Sequence, residues 1–186
     1  MYPYGIFRVG TGVYLTFDDG PIPEVTPQVL AILAQYKVKA TFFMVGENID
    51  KHPEVFEQVI KAGHSIGNHT YNHLKGWKYS FKEYMANVDK FPKQTTLFRP
   101  PYGKAWLWQR YALHKKGYRL IYWDILTRDY DKNVTPEQML ANIKKNTRPG
   151  SIINFHDSLK SNERMLTVLP QAIEWLQAQG YTLKAL

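Results

Sequence analysis

The sequence predicts an α/β fold, a distorted (β/α)7-type barrel around a mostly parallel sheet, and three observations carry that prediction. Short β-rich runs recur seven times along the chain. Helical patterns with recognisable ends separate them, an alternation that parallel strands joined by right-handed helical crossovers satisfy. The side chains best suited to chemistry fall at the ends of those runs, where the loops after strand C-termini form the reactive face of such folds. An open doubly wound sheet is the alternative closure.

"VYLTF" (13–17) is the first predicted strand. Thr26 and Pro27 predict a helix N-cap followed by a first-turn proline, and Val29, Leu30, Leu33 and Tyr36 supply that helix with an apolar face. "KATFFMV" (39–45) and "HSIGN" (64–68) follow as strands, with Gly63 stopping the helix between them. Ser80 and Glu83 form a capping box ahead of another helix, and "TLFR" (96–99) is the fourth strand. Gly117 precedes "YRLIYWDI" (118–125), read as one unbroken fifth strand. Thr135, Pro136 and Gln138 repeat the capping-box signal, and "SIINFH" (151–156) is the sixth strand. Gly180 then opens "YTLKAL" (181–186), the seventh. No repeat, low-complexity tract or linker interrupts the series, so residues 1–186 read as a single domain.

A content of 44% hydrophobic and 15% aromatic residues supports a sizeable core. The net charge of +8 suits an anionic partner. Yet the basic residues are scattered, with pairs such as Lys115 and Lys116 or Lys144 and Lys145 rather than runs, so no nucleic-acid partner is predicted. The absence of cysteine excludes disulfides and thiolate chemistry. No signal peptide is visible and no apolar window approaches ~20 residues, so no membrane span is expected. The location is cytoplasmic by default, or the cell envelope if an export segment lies outside this chain. The sequence leaves the oligomeric state open.

"TFDDGP" places Asp18 and Asp19 side by side at the end of the first strand. Two adjacent anions repel, and Asp-Gly-Pro is also good turn chemistry, so the rest of the chain decides the reading. "HTYNH" sets His69 and His73 four residues apart, which on a helical turn or in a tight loop presents both imidazoles to one side. Two histidines without thiols favour zinc or a similar divalent ion, with a carboxylate as the natural third ligand. Successive side chains leave a strand end in different directions, so one aspartate can bind the cation while its neighbour acts as general base on water. The cation then offsets the repulsion between them. His156, closing the sixth strand in "NFHD", is the candidate acid. In "RPPYG", Arg99 suits a bidentate grip on Asp18, and the Tyr102 N–H suits a developing oxyanion.

The ordered set "TFDDGP", "HTYNH", "RPPYG", "WDILTRDY" and "NFHD" resembles the polysaccharide deacetylases of carbohydrate esterase family 4, which share the NodB-homology domain. The resemblance spans the chain from Val13 onward. It implies a distorted (β/α) barrel that removes N-acetyl groups from amino-sugar polymers with a divalent metal, often zinc. By position it implies Asp18 as base, Asp19, His69 and His73 as metal ligands, and Arg99 as the residue that orients Asp18. It also implies the Tyr102 backbone in an oxyanion hole, and His156 as acid with Asp129 tuning it. The implied partner is an N-acetylated glycan, peptidoglycan or chitin-like.

Three positions depart from the family pattern. Leu126 occupies the first acidic place of the fourth motif and Tyr130 its tryptophan place, while Asn154 stands where a leucine precedes the last histidine. Asp124 is the candidate to replace the missing carboxylate. Trp77, Trp106, Trp108, Tyr102 and Tyr130 are expected at the rim, where flat rings stack on sugars, and Trp123 and Trp175 in the core. Two readings compete with a deacetylase: a catalytically silent carbohydrate-binding module, and a deacylase of another small amide. Turnover separates the first from an enzyme, and pure binding has no need for a base and an acid.

Overall fold

A computed structural model describes residues 3–186. Its organising strand is β2 (Val13–Asp18), in which all six residues are buried, as expected of a parallel strand covered on both faces. On one side β2 pairs with β3 (Thr41–Met44), followed outward by β4 (Ser65–Asn68), β5 (Leu97–Phe98), β6 (Arg119–Ile121) and β1 (Gly5–Ile6). On the other side lie β8 (Ile152–His156) and then β7 (Ile125–Leu126). All of these ladders are parallel, and β9 (Leu183–Lys184) adds to the lower half of β2. The sheet curls into the expected distorted half-barrel.

Helices wrap the outside: α1 (Thr26–Gln35), α2 (Gly46–Lys51), α3 (Pro53–Lys61), α4 (Phe81–Asp89), α5 (Leu107–Lys115), α6 (Pro136–Asn146) and α7 (Asn162–Ala178). The capping boxes at Ser80–Glu83 and Thr135–Gln138 form as read from the sequence. Gly63, Gly117 and Gly180 follow α3, α5 and α7 with φ of 73°, 90° and 79°, the left-handed geometry that ends a helix. Thr26 does not cap α1. Its hydroxyl accepts the Ile22 N–H at 2.8 Å and donates to the buried Asp157 carboxylate at 2.6 Å, so it ties the helix to the loop after β8.

Alternation along the strands divides the core. Val13, Leu15 and Phe17 of β2 and Ile153 and Phe155 of β8 face the helices, where Phe17 stacks between Phe42 and Phe155 at 5.0 and 5.7 Å. Tyr14, Phe43, Leu97, Ile121 and Ile152 face inward as a second cluster that fills the base of the half-barrel. The same parity sends Thr16, Asp18, Asn154 and His156 inward above that apolar floor.

The predicted fifth strand is broken. After β6 the Tyr122 N–H donates to Ile6 on β1 at 2.7 Å, whereas two residues later the Asp124 N–H donates to Ile152 on β8 at 3.2 Å. Residues 122–124 therefore bridge the open side of the half-barrel, and β7 joins the opposite edge. Asp124 anchors the crossing by accepting from Ser151 Oγ at 3.0 Å and Ile152 N at 2.9 Å. It lies at the start of β8, far along that strand from His156, and does not stand in for the carboxylate missing at Leu126.

Candidate active site

Asp18 and His156 are direct partners across β2 and β8, and Thr16 and Asn154 are partners one step below. Their shared face opens into a pocket of about 470 Å³ lined by Asp18, Asp19, His69, His73, Tyr102 and His156. Lys104, Trp123, Leu126, Tyr130, Ser158 and Lys160 complete its wall.

Asp18 is only 2% exposed. Arg99, just beyond β5, is the largest fully buried side chain among the described residues, and its guanidinium lies 4.1 Å from the Phe43 ring centre and 5.5 Å from that of Trp123. Arg99 Nη1 donates to Asp18 Oδ1 at 2.7 Å, while Nη2 and Nε donate to the carbonyls of Tyr122 and Ile121 at 3.0 and 3.2 Å. The grip is thus single-pronged, not the expected two-pronged fork, because the Ile121 and Tyr122 carbonyls take Nε and Nη2 while Thr16 and Asn154 share Nη1 with Asp18. Asp18 Oδ2 instead accepts from Asn154 Nδ2 at 3.0 Å. Burial alone would raise the Asp18 pKa. The Arg99 charge, with that of His156 and the Arg99 hydrogen bond, helps to outweigh it and hold the carboxyl below its ordinary value.

Asp19 faces elsewhere. It adopts φ 86°, a left-handed conformation uncommon outside glycine, at the point where β2 ends. Its Oδ1 lies 3.3 Å from His73 Nε2 and 3.8 Å from His69 Nε2. That oxygen is buried without a hydrogen-bond partner. The two histidines come together in a tight loop, as their spacing allows. Asn68 Oδ1 accepts the Thr70 N–H at 2.7 Å, and Thr70 and His73 take φ of 64° and 53° to close it. His69 Nδ1 is 2.7 Å from the Arg99 carbonyl oxygen, so it carries the ring proton and leaves the Nε2 lone pair free to bind. Burial, with the neighbouring His73 charge, lowers the His69 pKa to about 4 despite the nearby carboxylates, so its imidazole is neutral.

One carboxylate oxygen and two imidazole nitrogens within 4.8 Å of one another, one of them a buried orphan, are a donor set that fits a divalent cation such as zinc.

His156 is set the opposite way from Asp18. Its Nδ1 lies 2.8 Å from Asp129 Oδ1, and its backbone N–H donates to Asp129 Oδ2 at 2.7 Å. Arg164 Nε fixes the Asp129 carbonyl at 2.9 Å. Burial works against the imidazolium, but the Asp129 hydrogen bond and charge, with Asp18 and Asp19 behind them, raise the His156 pKa to about 9. Tyr130 meets this ring edge-on at 5.0 Å, and Leu126 lines the wall beside it.

Tyr102 has φ 60° and lies 4.8 Å from the His73 ring, with Trp77 edge-on at 5.5 Å. Trp123 is a correction: it is partly exposed and lines the pocket, because residues 122–124 cross the barrel mouth and do not continue a strand. Trp175 packs against the core as expected. Trp106 and Trp108 stack on each other at 5.1 Å on the surface, outside the pocket wall.

Sequence reasoning passed over Asp157, buried behind Asp19, which accepts the Gly20 N–H at 3.1 Å. Burial, and then the Asp19 charge, raise its pKa to about 8. It also treated Asn154 only as a departure, although the i, i+2 relation to His156 on one strand places both on one face.

Known proteins match this architecture. Residues 9–121 fit the family model described as polysaccharide deacetylase. The chain is 35% identical to a peptidoglycan-N-acetylglucosamine deacetylase of Bacillus cereus, covering 91% of this chain and 83% of that protein. It is 33% identical to a chitooligosaccharide deacetylase of Azorhizobium caulinodans, covering 95% and 93%. Among solved structures, the Bc1960 peptidoglycan N-acetylglucosamine deacetylase in complex with 4-naphthalen-1-yl-N-oxidanyl-benzamide superposes with a TM-score of 0.93 at 32% identity, over 100% of this chain and 91% of that one. With the family model covering more than half of its length, this chain belongs to the polysaccharide deacetylase family.

Proposed function

We propose that the protein is a metal-dependent hydrolase that removes N-acetyl groups from an amino-sugar polymer or oligomer, peptidoglycan or chitin-like. One observation carries the reading. Asp18 and His156 face each other on adjacent strands, tuned in opposite senses, beside the Asp19, His69 and His73 donor set.

A divalent cation held by those three residues would polarise the amide carbonyl and acidify water. Asp18, kept ionised by Arg99, takes the proton of the attacking water. His156, kept protonated by Asp129, presents Nε2 to the pocket because Nδ1 is engaged, and delivers its proton to the departing amine. The Tyr102 N–H donates to the carbonyl oxygen as negative charge builds there. Tyr102, Trp77, Trp123 and Tyr130 offer ring faces and edges for the sugar.

The test is acetate release from N-acetylated chitooligosaccharides and from peptidoglycan, measured before chelation, after it, and after zinc is restored. Release that falls with chelator and returns with zinc is expected. Glycan binding without any acetate release would favour a silent binding module.

A further inference from the structure

A carboxylate held at one oxygen still turns about its Cβ–Cγ bond, and Arg99 holds Asp18 at one oxygen only. The second oxygen is held by Asn154, a residue with no role in the family pattern described above. Its amide orientation is dictated by its neighbours. Asn154 Oδ1 accepts from Arg99 Nη1, which is a donor only, so the amino group is turned toward Asp18. The Thr16 hydroxyl, whose one proton is shared between the Ile153 carbonyl and Asn154 Oδ1, lies 3.0 Å from the same oxygen. The result is a closed ring: Asp18 Oδ1 to Arg99 Nη1, Nη1 to Asn154 Oδ1, and Asn154 Nδ2 back to Asp18 Oδ2. Thr16, Arg99 and Asn154 are all fully buried, so water offers no substitute donor. A leucine has the same branched heavy-atom skeleton but can neither accept from Arg99 nor donate to Asp18, so it would break the ring at two places.

We propose that Asn154 is a positioning residue for this deacetylase: it fixes the plane of the Asp18 carboxylate, so that the base points at the attacking water. The inference rests on the reading of Asp18 as base, but its geometric half stands apart from activity. Asn154 does not itself line the pocket and is not among the candidate metal ligands; it reaches the pocket only through its hydrogen bond to Asp18, so it acts on the rate through Asp18 and leaves substrate and cation binding alone.

Asn154→Leu and Asn154→Ala are compared with the unaltered protein in crystal structures, in zinc affinity, and in kcat and KM for acetate release from an acetylated amino-sugar oligomer. Both variants are expected to show the Asp18 carboxylate turned from its place, kcat lowered about ten-fold or more, and KM and zinc affinity within two-fold. Asn154→Leu with Asp18 unmoved and kcat unchanged, while Asn154→Ala is slow, would reduce Asn154 to a space filler and overturn the proposal. If the leucine variant does not fold, Asn154→Ser decides on the same readings. An unaltered protein that releases no acetate defeats the deacetylase reading, while the carboxylate orientation in the variants still judges the positioning claim.

Discussion

Asp18 and Asp19 are neighbours in the chain and belong to two different regions of the molecule. The Asp18 region is closed: the carboxylate is buried, and both its oxygens are bound, one by Arg99 and one by Asn154. The Asp19 region is open: the carboxylate is partly exposed, and one oxygen, without a hydrogen bond, faces two imidazoles. The difference shows how a strand end divides labour. A residue still inside the β2 ladder inherits the fixed inner face, while the next one, turned into a left-handed conformation, reaches out to the loop that carries His69 and His73. A satisfied network holds a group still, and an unsatisfied one is poised to take a ligand.

The largest expected effect breaks the closed region alone. Asp18→Asn keeps an acceptor for Arg99 but removes the proposed base, and kcat for acetate release should fall about 10²–10⁴-fold with zinc affinity unchanged. Removing the facing acid comes next. His156→Gln should cost about 10²-fold, less for a substrate whose leaving group needs no proton, which steady-state rates on amide and activated-ester acetates would compare.

Asp129→Asn sharpens the contrast through pH. The proposed acid role needs a protonated His156, so activity should be present below its pKa and be lost as pH rises through it, near pH 9 in the protein as it stands. Without the Asp129 charge, that alkaline limb should move down toward the ordinary histidine value of about 6.5, read from kcat/KM against pH. The same charge pair contributes stability fully below about pH 6.5 and loses it as pH rises through about 9, so the variant's denaturation midpoint should depend less on pH over that window. The smallest effect on rate is expected from Thr26→Val. Removing the hydroxyl between Ile22 and Asp157 should cost about 1–3 kcal/mol in urea unfolding and leave kcat within two-fold.

The open region was more legible in the sequence than the closed one. His69 and His73 lie in one short loop, and Asp19 follows an obvious strand, so spacing and a strand end were enough to suggest a cation site. The parallel architecture was legible for the same reason, since capping boxes and C-terminal glycines are local signals. The closed region depends on pairing between β2 and β8, whose partners Thr16 and Asn154 lie 138 residues apart. No local period reports such a pairing, so Asn154 read as a departure and Arg99 as a two-pronged fork. Residues 122–124 were hidden differently. Their apolar run has a strand's composition, and only the hydrogen bonds to two opposite edges of the sheet reveal a crossing. Thr26 carries both a capping chemistry and a buried-network chemistry, and the neighbour that selects between them, Asp157, comes from the far end of the chain.

The most direct measurement sets the two aspartates against each other in matched preparations, counting zinc per chain and acetate released. Asp18→Asn is expected to hold one zinc and release almost no acetate, while Asp19→Ala loses the zinc. An active Asp18→Asn protein, or an Asp19→Ala protein that keeps its zinc at unaltered affinity, would contradict the division between the two regions.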